Sequence, residues 1–269
     1  DRQLLSLDLS LNWIEAALLG LVQGLAEFLP VSSSGHLALG QVLLRVEADD
    51  LTFVVIVHFG TLLAVVTEFR HLLWRLFVGF LRGDGESRRM VLNLIIGTLP
   101  AGLIGVLFED TISQLFDSPV YVCVFLVLTG CALYSTRFCS SSRSGVRLHD
   151  AIIIGFAQAA AILPGISRSG MTISAGLWKG LEGKEAAQFS FLLSLPIIAG
   201  ATVLKVKGLV EAGGTNDSVL PLVVGALVAY LSGILAIRWL MSIVARRGLE
   251  RFSYYCWAVG AAGFILFRG

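Results

Sequence analysis

Apolar residues fill this chain in long blocks, and polar residues are confined to the breaks between them. The blocks run Asn12–Leu29, Leu37–Leu44, Phe53–Phe69, Leu92–Phe108, Val120–Phe138, Ala151–Leu163, Met171–Leu181, Ala186–Val206, Val219–Leu240 and Phe252–Phe267. Six of them, beginning at Phe53, Leu92, Val120, Ala186, Val219 and Phe252, approach the ~20 residues a helix needs to cross a bilayer. The other four form two pairs. Asn12–Leu29 stops at Pro30 and the polar run Val31-Ser32-Ser33-Ser34-Gly35-His36 before Leu37–Leu44. Ala151–Leu163 stops at Pro164 and Gly165-Ile166-Ser167-Arg168-Ser169-Gly170 before Met171–Leu181. At ~1.5 Å per residue neither second limb spans a ~30 Å hydrocarbon core. Each pair therefore predicts a re-entrant helix–loop–helix, with irregular backbone tolerated because protein or a water-filled cavity lines it.

The two pairs also resemble each other. Gly20-Leu21-Val22-Gln23 leads to Leu29-Pro30 and a serine–glycine run, as Gly155-Phe156-Ala157-Gln158 leads to Leu163-Pro164 and a second such run. Phe53–Val66 and Phe189–Thr202 share an aromatic start and a glycine-containing apolar stretch. The expected fold is an all-α polytopic membrane protein. It is a single integral membrane domain over residues 1–269, built from repeats at 12–139 and 149–268. Each half holds one re-entrant helix–loop–helix plus three transmembrane helices. Three crossings invert the second half, and inverted repeats with broken helices place a site where the breaks converge.

Composition agrees. Of 269 residues, 56% are hydrophobic and 14% charged, with mean hydropathy +0.82, which excludes a soluble globular enzyme and a disordered chain. Lys+Arg 20 against Asp+Glu 19 leaves no basic face for nucleic acid. Arginines gather in three breaks: Arg70, Arg75, Arg82, Arg88 and Arg89; Arg143 and Arg147; and Arg246, Arg247 and Arg251. Glu47, Asp49, Asp50, Glu109, Asp110, Asp117, Glu211 and Asp217 fall in the alternate breaks, with Lys205 and Lys207 as exceptions. The positive-inside rule puts the arginine side in the cytoplasm, both termini outside, and the first re-entrant unit open outward. Residues 1–13 show no basic n-region or cleavage site, so no signal peptide is read there. Cys123, Cys131, Cys139 and Cys256 show no CxxC and read as packing residues.

Polar residues inside apolar blocks are costly and mark function. Gln23 and Glu27 lie one turn apart on one helix face, close to Ser32, Ser33, Ser34 and His36. The second break offers Ser167, Arg168, Ser169 and Thr172. Helix starts flanked by Gly and Ser bind oxyanions through free N–H groups, and an arginine clamps phosphate oxygens. A carboxylate beside a diphosphate holds a divalent cation, with Mg²⁺ expected and Ca²⁺ the alternative. Histidine can move a proton near neutral pH, and a serine hydroxyl can attack phosphorus if a base takes its proton. Each hydroxyl alone is equally well explained by bonding back to its own helix. His58, alone in an apolar run, reads as a satisfied core histidine, with a supporting place beside the site as the alternative. Gly97, Gly102 and Gly105 read as packing positions.

The stretches QGLAEFLPVSSSGH (Gln23–His36) and LPGISRSGMTIS (Leu163–Ser174) closely resemble the two signature motifs of the undecaprenyl-diphosphatase family of the bacitracin-resistance type. Gln23 and Glu27 match its E/Q-x-x-x-E pattern. Pro164, Gly165, Ser167, Arg168, Ser169 and Thr172 match its P-G-x-S-R-S-x-x-T pattern. The resemblance covers residues 12–268. It implies an integral phosphatase of the bacterial plasma membrane, active on a polyisoprenyl diphosphate lipid, requiring a divalent cation and conferring bacitracin resistance. Glu27, Ser33, His36 and Arg168 are the expected catalytic residues. Gln23, Ser32, Ser34, Gly165, Ser167, Ser169, Gly170 and Thr172 are expected at the substrate, and Glu27 with Gln23 at the cation. Many relatives carry Glu where this chain has Gln23, which throws the anionic ligand role onto Glu27. Serine and water remain alternatives as nucleophile. A transporter or flippase of a lipid phosphate is the competing reading of the same cavity. Small residues on several spans allow a homodimer without requiring one.

Overall fold

A computed structural model of the chain describes residues 11–37, 51–116, 118–140, 142–211 and 219–268. Among them every regular element is helical, apart from an isolated bridge between Arg143 and Leu181. Helix α1 (Trp13–Phe28) begins at a capping box. The Asn12 side chain accepts from the Ile14 and Glu15 N–H groups, and the Glu15 carboxylate accepts the Asn12 N–H. It ends before Pro30, which has no N–H to continue the ladder and disfavours helix at the residue before it. Helix α2 follows at once and is described over residues 33–37. Most of the expected limb Leu37–Leu44 lies outside the described residues, as do Glu47, Asp49, Asp50, Asp117, Asp217 and residues 1–10.

Helices α3 (Leu51–Glu68) and α4 (Arg70–Arg82) meet at a bend of 72°. The segment after Phe69, expected as a basic loop, is thus helical. Leu72, Leu73, Leu76 and Phe80 recur at helical spacing, and Gly83 closes the helix in the left-handed region. Helix α5 (Gly85–Leu107) is capped by Asp84, whose carboxylate accepts the Ser87 N–H. The expected acidic loop is helical too, as α6 (Glu109–Phe116). Then come α7 (Pro119–Ser135), α8 (Leu148–Ala160), α9 (Arg168–Trp178), α10 (Gly183–Glu211), α11 (Val219–Ala245) and α12 (Phe252–Phe267).

The chain is a polytopic membrane protein. Among the described residues four segments, Gly85–Leu107, Pro119–Phe138, Gly183–Val203 and Val219–Ala245, are long and apolar enough to cross a bilayer, and the bent pair α3–α4 makes up to five. The last apolar block is α12, whose 16 residues reach about 24 Å. Ile95, Leu99 and Leu103 on α5 and Val223, Leu227, Leu231 and Leu235 on α11 are exposed, an outward apolar face suited to lipid.

Helix α1 packs on α11, and α8 packs on α5; α3 packs on α10, and α7 on α12. Glycines set the first two crossings. A Cβ on Gly20 would sit 2.4 Å from the Gly225 carbonyl oxygen, and one on Gly155 would sit 2.6 Å from that of Gly97. Phe28, Phe189, Phe191 and Leu193 fill the centre, with the rings of Phe28 and Phe191 edge to face at 5.7 Å. The linker into α8 is tied down by Arg143, whose Nη2 donates to the buried Asp150 at 2.7 Å, and by the Gly145 N–H, which donates to Glu185 at 2.9 Å.

Candidate active site

The two breaks meet, and Glu27 is at their junction. It lies on the last turn of α1, buried, and its carboxylate collects three donors. Arg168 Nη2 donates to Oε1 at 2.6 Å; Ser33 Oγ donates to Oε2 at 2.7 Å; Gln23 Nε2 donates to Oε2 at 3.0 Å. Gln23 reaches Glu27 because it is one helical turn away. Ser33 reaches it because Pro30 turns the chain back, and Arg168 because α9 starts beside that turn. A buried carboxylate without such partners would be strongly disfavoured. Arg168 Nη1, Gln23 Oε1 and both amide atoms of Gln158 are buried without a partner among the described residues.

The second break is held by its neighbours. Ser167 caps α9 by accepting the Gly170 N–H at 3.1 Å. Thr129 of α7 donates to the Gly165 carbonyl at 3.1 Å and accepts the Ser167 N–H at 3.0 Å. Gly165 has φ +96°, and a Cβ there would lie 2.3 Å from the Val122 carbonyl oxygen, so both backbone and space require glycine. Ser169 donates to the Leu29 carbonyl at 3.2 Å and so clasps the first break. Thr172 donates to the Arg168 carbonyl at 2.7 Å and contacts the Ser190 hydroxyl. In the first break Ser32 sits at φ +69°, a conformation that costs a non-glycine residue ~1–3 kcal/mol and concentrates at functional sites.

A cavity of about 570 Å³ opens over this junction. Its polar lining includes Glu27, Ser32, Ser33, Ser34, Ser167 and Arg168, with His58 and Gln158; most of the rest is an apolar wall from α5, α10 and the end of α8 with the turn after it, including Ala101, Val106, Ile162 and Ile197. Of the residues expected from the sequence, the first six of these line the cavity. Gln23, Gly165, Ser169, Gly170 and Thr172 lie behind it and shape the two breaks instead.

His36 is not brought into the site. Its Nδ1 bonds the Ser32 carbonyl at 2.8 Å, its Nε2 the Tyr255 hydroxyl at 2.7 Å, and its ring stacks on Tyr255. A carbonyl only accepts, so Nδ1 carries the proton and Nε2 accepts from Tyr255. Both nitrogens are engaged in joining α2 to α12, so the expected acid–base role has no contact with Glu27, Ser33 or Arg168 in this structure. The imidazole at the cavity is His58 of α3, read from the sequence as a core residue. Its Nδ1 donates to the Val54 carbonyl at 2.7 Å, leaving Nε2 3.9 Å from Glu27 Oε2. Helix α3 is apolar on all sides, so its sequence carries no sign of which face meets the cavity. The only clue was a titratable group in an apolar block.

Among the described residues no three His, Cys, Asp or Glu side chains group so as to hold a metal ion by themselves. The donor set still suits Mg²⁺, which takes one or two carboxylates and completes its shell with phosphate oxygens and water. Glu27 supplies the carboxylate. Gln23, expected beside it at the ion, turns its NH₂ to Glu27 and does not line the cavity, so Glu27 is the carboxylate that the cavity offers a cation.

A sequence profile described as Bacitracin resistance protein BacA matches residues 16–262. The chain is 43% identical over 271 residues to a protein of Methanobrevibacter smithii, covering 94% of this chain and 96% of the relative. It is 42% identical over 263 residues to one of Syntrophotalea carbinolica, covering 95% and 99%. It is 41% identical over 251 residues to one of Halothermothrix orenii, covering 92% and 95%. All three relatives are named undecaprenyl-diphosphatase.

Proposed function

The chain belongs to the bacitracin resistance protein BacA family, and from that premise we propose how its converging breaks carry out the family's reaction. It is a multi-pass inner-membrane hydrolase that cleaves undecaprenyl diphosphate to the monophosphate and inorganic phosphate. The observation that carries the site assignment is the Ser33–Glu27–Arg168 chain, with its contacts of 2.7 and 2.6 Å in the polar lining of a largely apolar cavity. The prenyl chain lies along the wall from α5, α8 and α10, and the diphosphate reaches the junction of the breaks.

Ser33 Oγ attacks the terminal phosphorus while Glu27 Oε2, already its hydrogen-bond acceptor, takes the proton. The bond from phosphorus to the bridging oxygen breaks, and the prenyl monophosphate leaves with that electron pair. Arg168 Nη1, the free corner of a guanidinium anchored on Glu27, faces the charge on the transferring group. Water then attacks the phosphoserine. Glu27 returns its proton to Ser33 Oγ as that bond breaks, and the protons of the water leave with the phosphate. Glu27 would hold a divalent cation, Mg²⁺ or Ca²⁺, which when bound neutralises phosphoryl charge.

The same reading includes six spans arranged as an inverted repeat, three in each half after a re-entrant pair. The matched crossings at Gly20–Gly225 and Gly155–Gly97 support it. The arginine-rich breaks support a cytoplasmic face at their ends, so that the substrate arrives from the outer side. Rapid quench with substrate radiolabelled in its terminal phosphate tests the chemistry. Label on Ser33 supports the covalent route, and turnover with no labelled protein at any time replaces it with direct attack by water.

A further inference from the structure

Gln158 takes no part in the chemistry above, yet it lines the same cavity. It is 1% exposed, and neither its Nε2 nor its Oε1 has a partner among the described residues. Replacing it with an apolar side chain of similar size would remove two unsatisfied polar atoms, so its presence has no structural gain to explain it. A buried amide with no protein partner keeps an N–H donor available to an acceptor oxygen on a ligand.

Its place in the fold narrows the ligand. Gly20, Gln23 and Glu27 recur 135 positions later as Gly155, Gln158 and Ile162. Gly20 sets the α1–α11 crossing and Gly155 the α8–α5 crossing, so each glutamine follows its crossing glycine by three residues. The first copy carries a carboxylate one turn further on. The second carries Ile162, which is part of the apolar wall. The second copy thus keeps the amide and lacks the group that would activate a nucleophile. Gln158, on the last turn of α8, lines this cavity together with Ala161 and Ile162, which follow that helix.

Resting on the diphosphatase reading, we propose that Gln158 binds the lipid-proximal phosphoryl group, the one that stays on the prenyl chain. Its Nε2 donates to a non-bridging oxygen of that group. The terminal phosphoryl group is left to Arg168 and Ser33, where a carboxylate stands by. The asymmetry between Glu27 and Ile162 fixes which phosphorus is attacked, and Gln158 selects a substrate with a second phosphoryl group in place.

The test measures binding of farnesyl monophosphate and of inorganic phosphate to detergent-purified wild type, Gln158→Leu and Gln158→Glu, with thermal unfolding of each. In Gln158→Leu, affinity for farnesyl monophosphate should fall roughly tenfold or more, the scale of a lost hydrogen bond to a charged group. Affinity for inorganic phosphate should hold, and the unfolding temperature should stay level or rise. Gln158→Glu should lose more affinity for the monophosphate, because it brings a negative charge to it. Unchanged farnesyl monophosphate affinity in folded Gln158→Leu would overturn the proposal. So would a lower unfolding temperature with affinity kept, the mark of a structural amide, or an equal loss for both ligands, which would put Gln158 at the terminal phosphate. Phosphate release from a prenyl diphosphate by the wild type checks the diphosphatase reading separately, and the binding contrast is read whatever that shows.

Discussion

Arg168→Lys separates the two tasks given to the guanidinium. In the wild type Nη2 is held on Glu27 Oε1 at 2.6 Å, and Nη1 is buried with no partner among the described residues, on a side chain that lines the cavity. Lysine keeps the positive charge next to Glu27 but has one nitrogen, so it cannot hold the carboxylate and meet the phosphate as a planar fork does. The loss is one charge-assisted hydrogen bond, about 1.5–3 kcal/mol. At ~1.36 kcal/mol per factor of ten, kcat/KM for a prenyl diphosphate should fall about 10- to 150-fold. Arg168→Ala removes the charge as well and leaves Glu27 buried without its cation, a destabilisation of about 3–5 kcal/mol. Adding Glu27→Gln to Arg168→Ala should restore much of the lost thermal stability and none of the activity. Phosphate release in detergent and thermal unfolding of the three variants give the readings. Folded Arg168→Lys with wild-type kcat/KM would refute the phosphate role of Nη1. A double variant no more stable than Arg168→Ala would refute the ion pair as the source of the stability loss.

Ser33→Ala should lower kcat by at least about 100-fold and abolish phosphoprotein in rapid quench; near-normal turnover removes Ser33 as nucleophile. His36→Asn should reduce kcat less than His58→Leu does, because His36 faces Tyr255 and His58 the cavity; steady-state kinetics giving the reverse order would return His36 to the chemistry. Gly20→Ala pushes a Cβ to 2.4 Å from the Gly225 carbonyl oxygen and should cost about 1–3 kcal/mol. Gly85→Ala, with nothing within 4 Å, should be near neutral in the same thermal unfolding series, and equal effects would deny the close crossing.

The breaks themselves were plain in the sequence because a proline followed by glycine and serines cannot continue an apolar helix. Glu27 stands out because a charge inside an apolar block is expensive unless it is paired, and Arg168 because it is the charge of the second break; the structure pairs them with each other. What the sequence left open is set by tertiary packing. His36 follows the serine run directly, yet the turn at Ser32 carries its ring away from the cavity toward Tyr255. His58 reaches the cavity only because α3 packs between α10 and α11 with that side inward. Helix α4 was hidden by its arginines, which draw the eye to charge, while Leu72, Leu73, Leu76 and Phe80 carry the helical spacing. Gln158 is visible in the repeat by its offset from Gln23, but only burial shows that its amide is unsatisfied.

The most direct measurement is phosphate release from undecaprenyl diphosphate by the detergent-purified protein, with Mg²⁺ and with EDTA, beside Glu27→Gln. Glutamine keeps the size of the side chain and removes the charge that accepts from Ser33, pairs with Arg168 and would hold the cation. Release with Mg²⁺ that is lost in EDTA and lost again in folded Glu27→Gln is the predicted result. Release that persists at the wild-type rate in Glu27→Gln, or none from folded wild type under either condition, would contradict a diphosphatase centred on the junction of the two breaks.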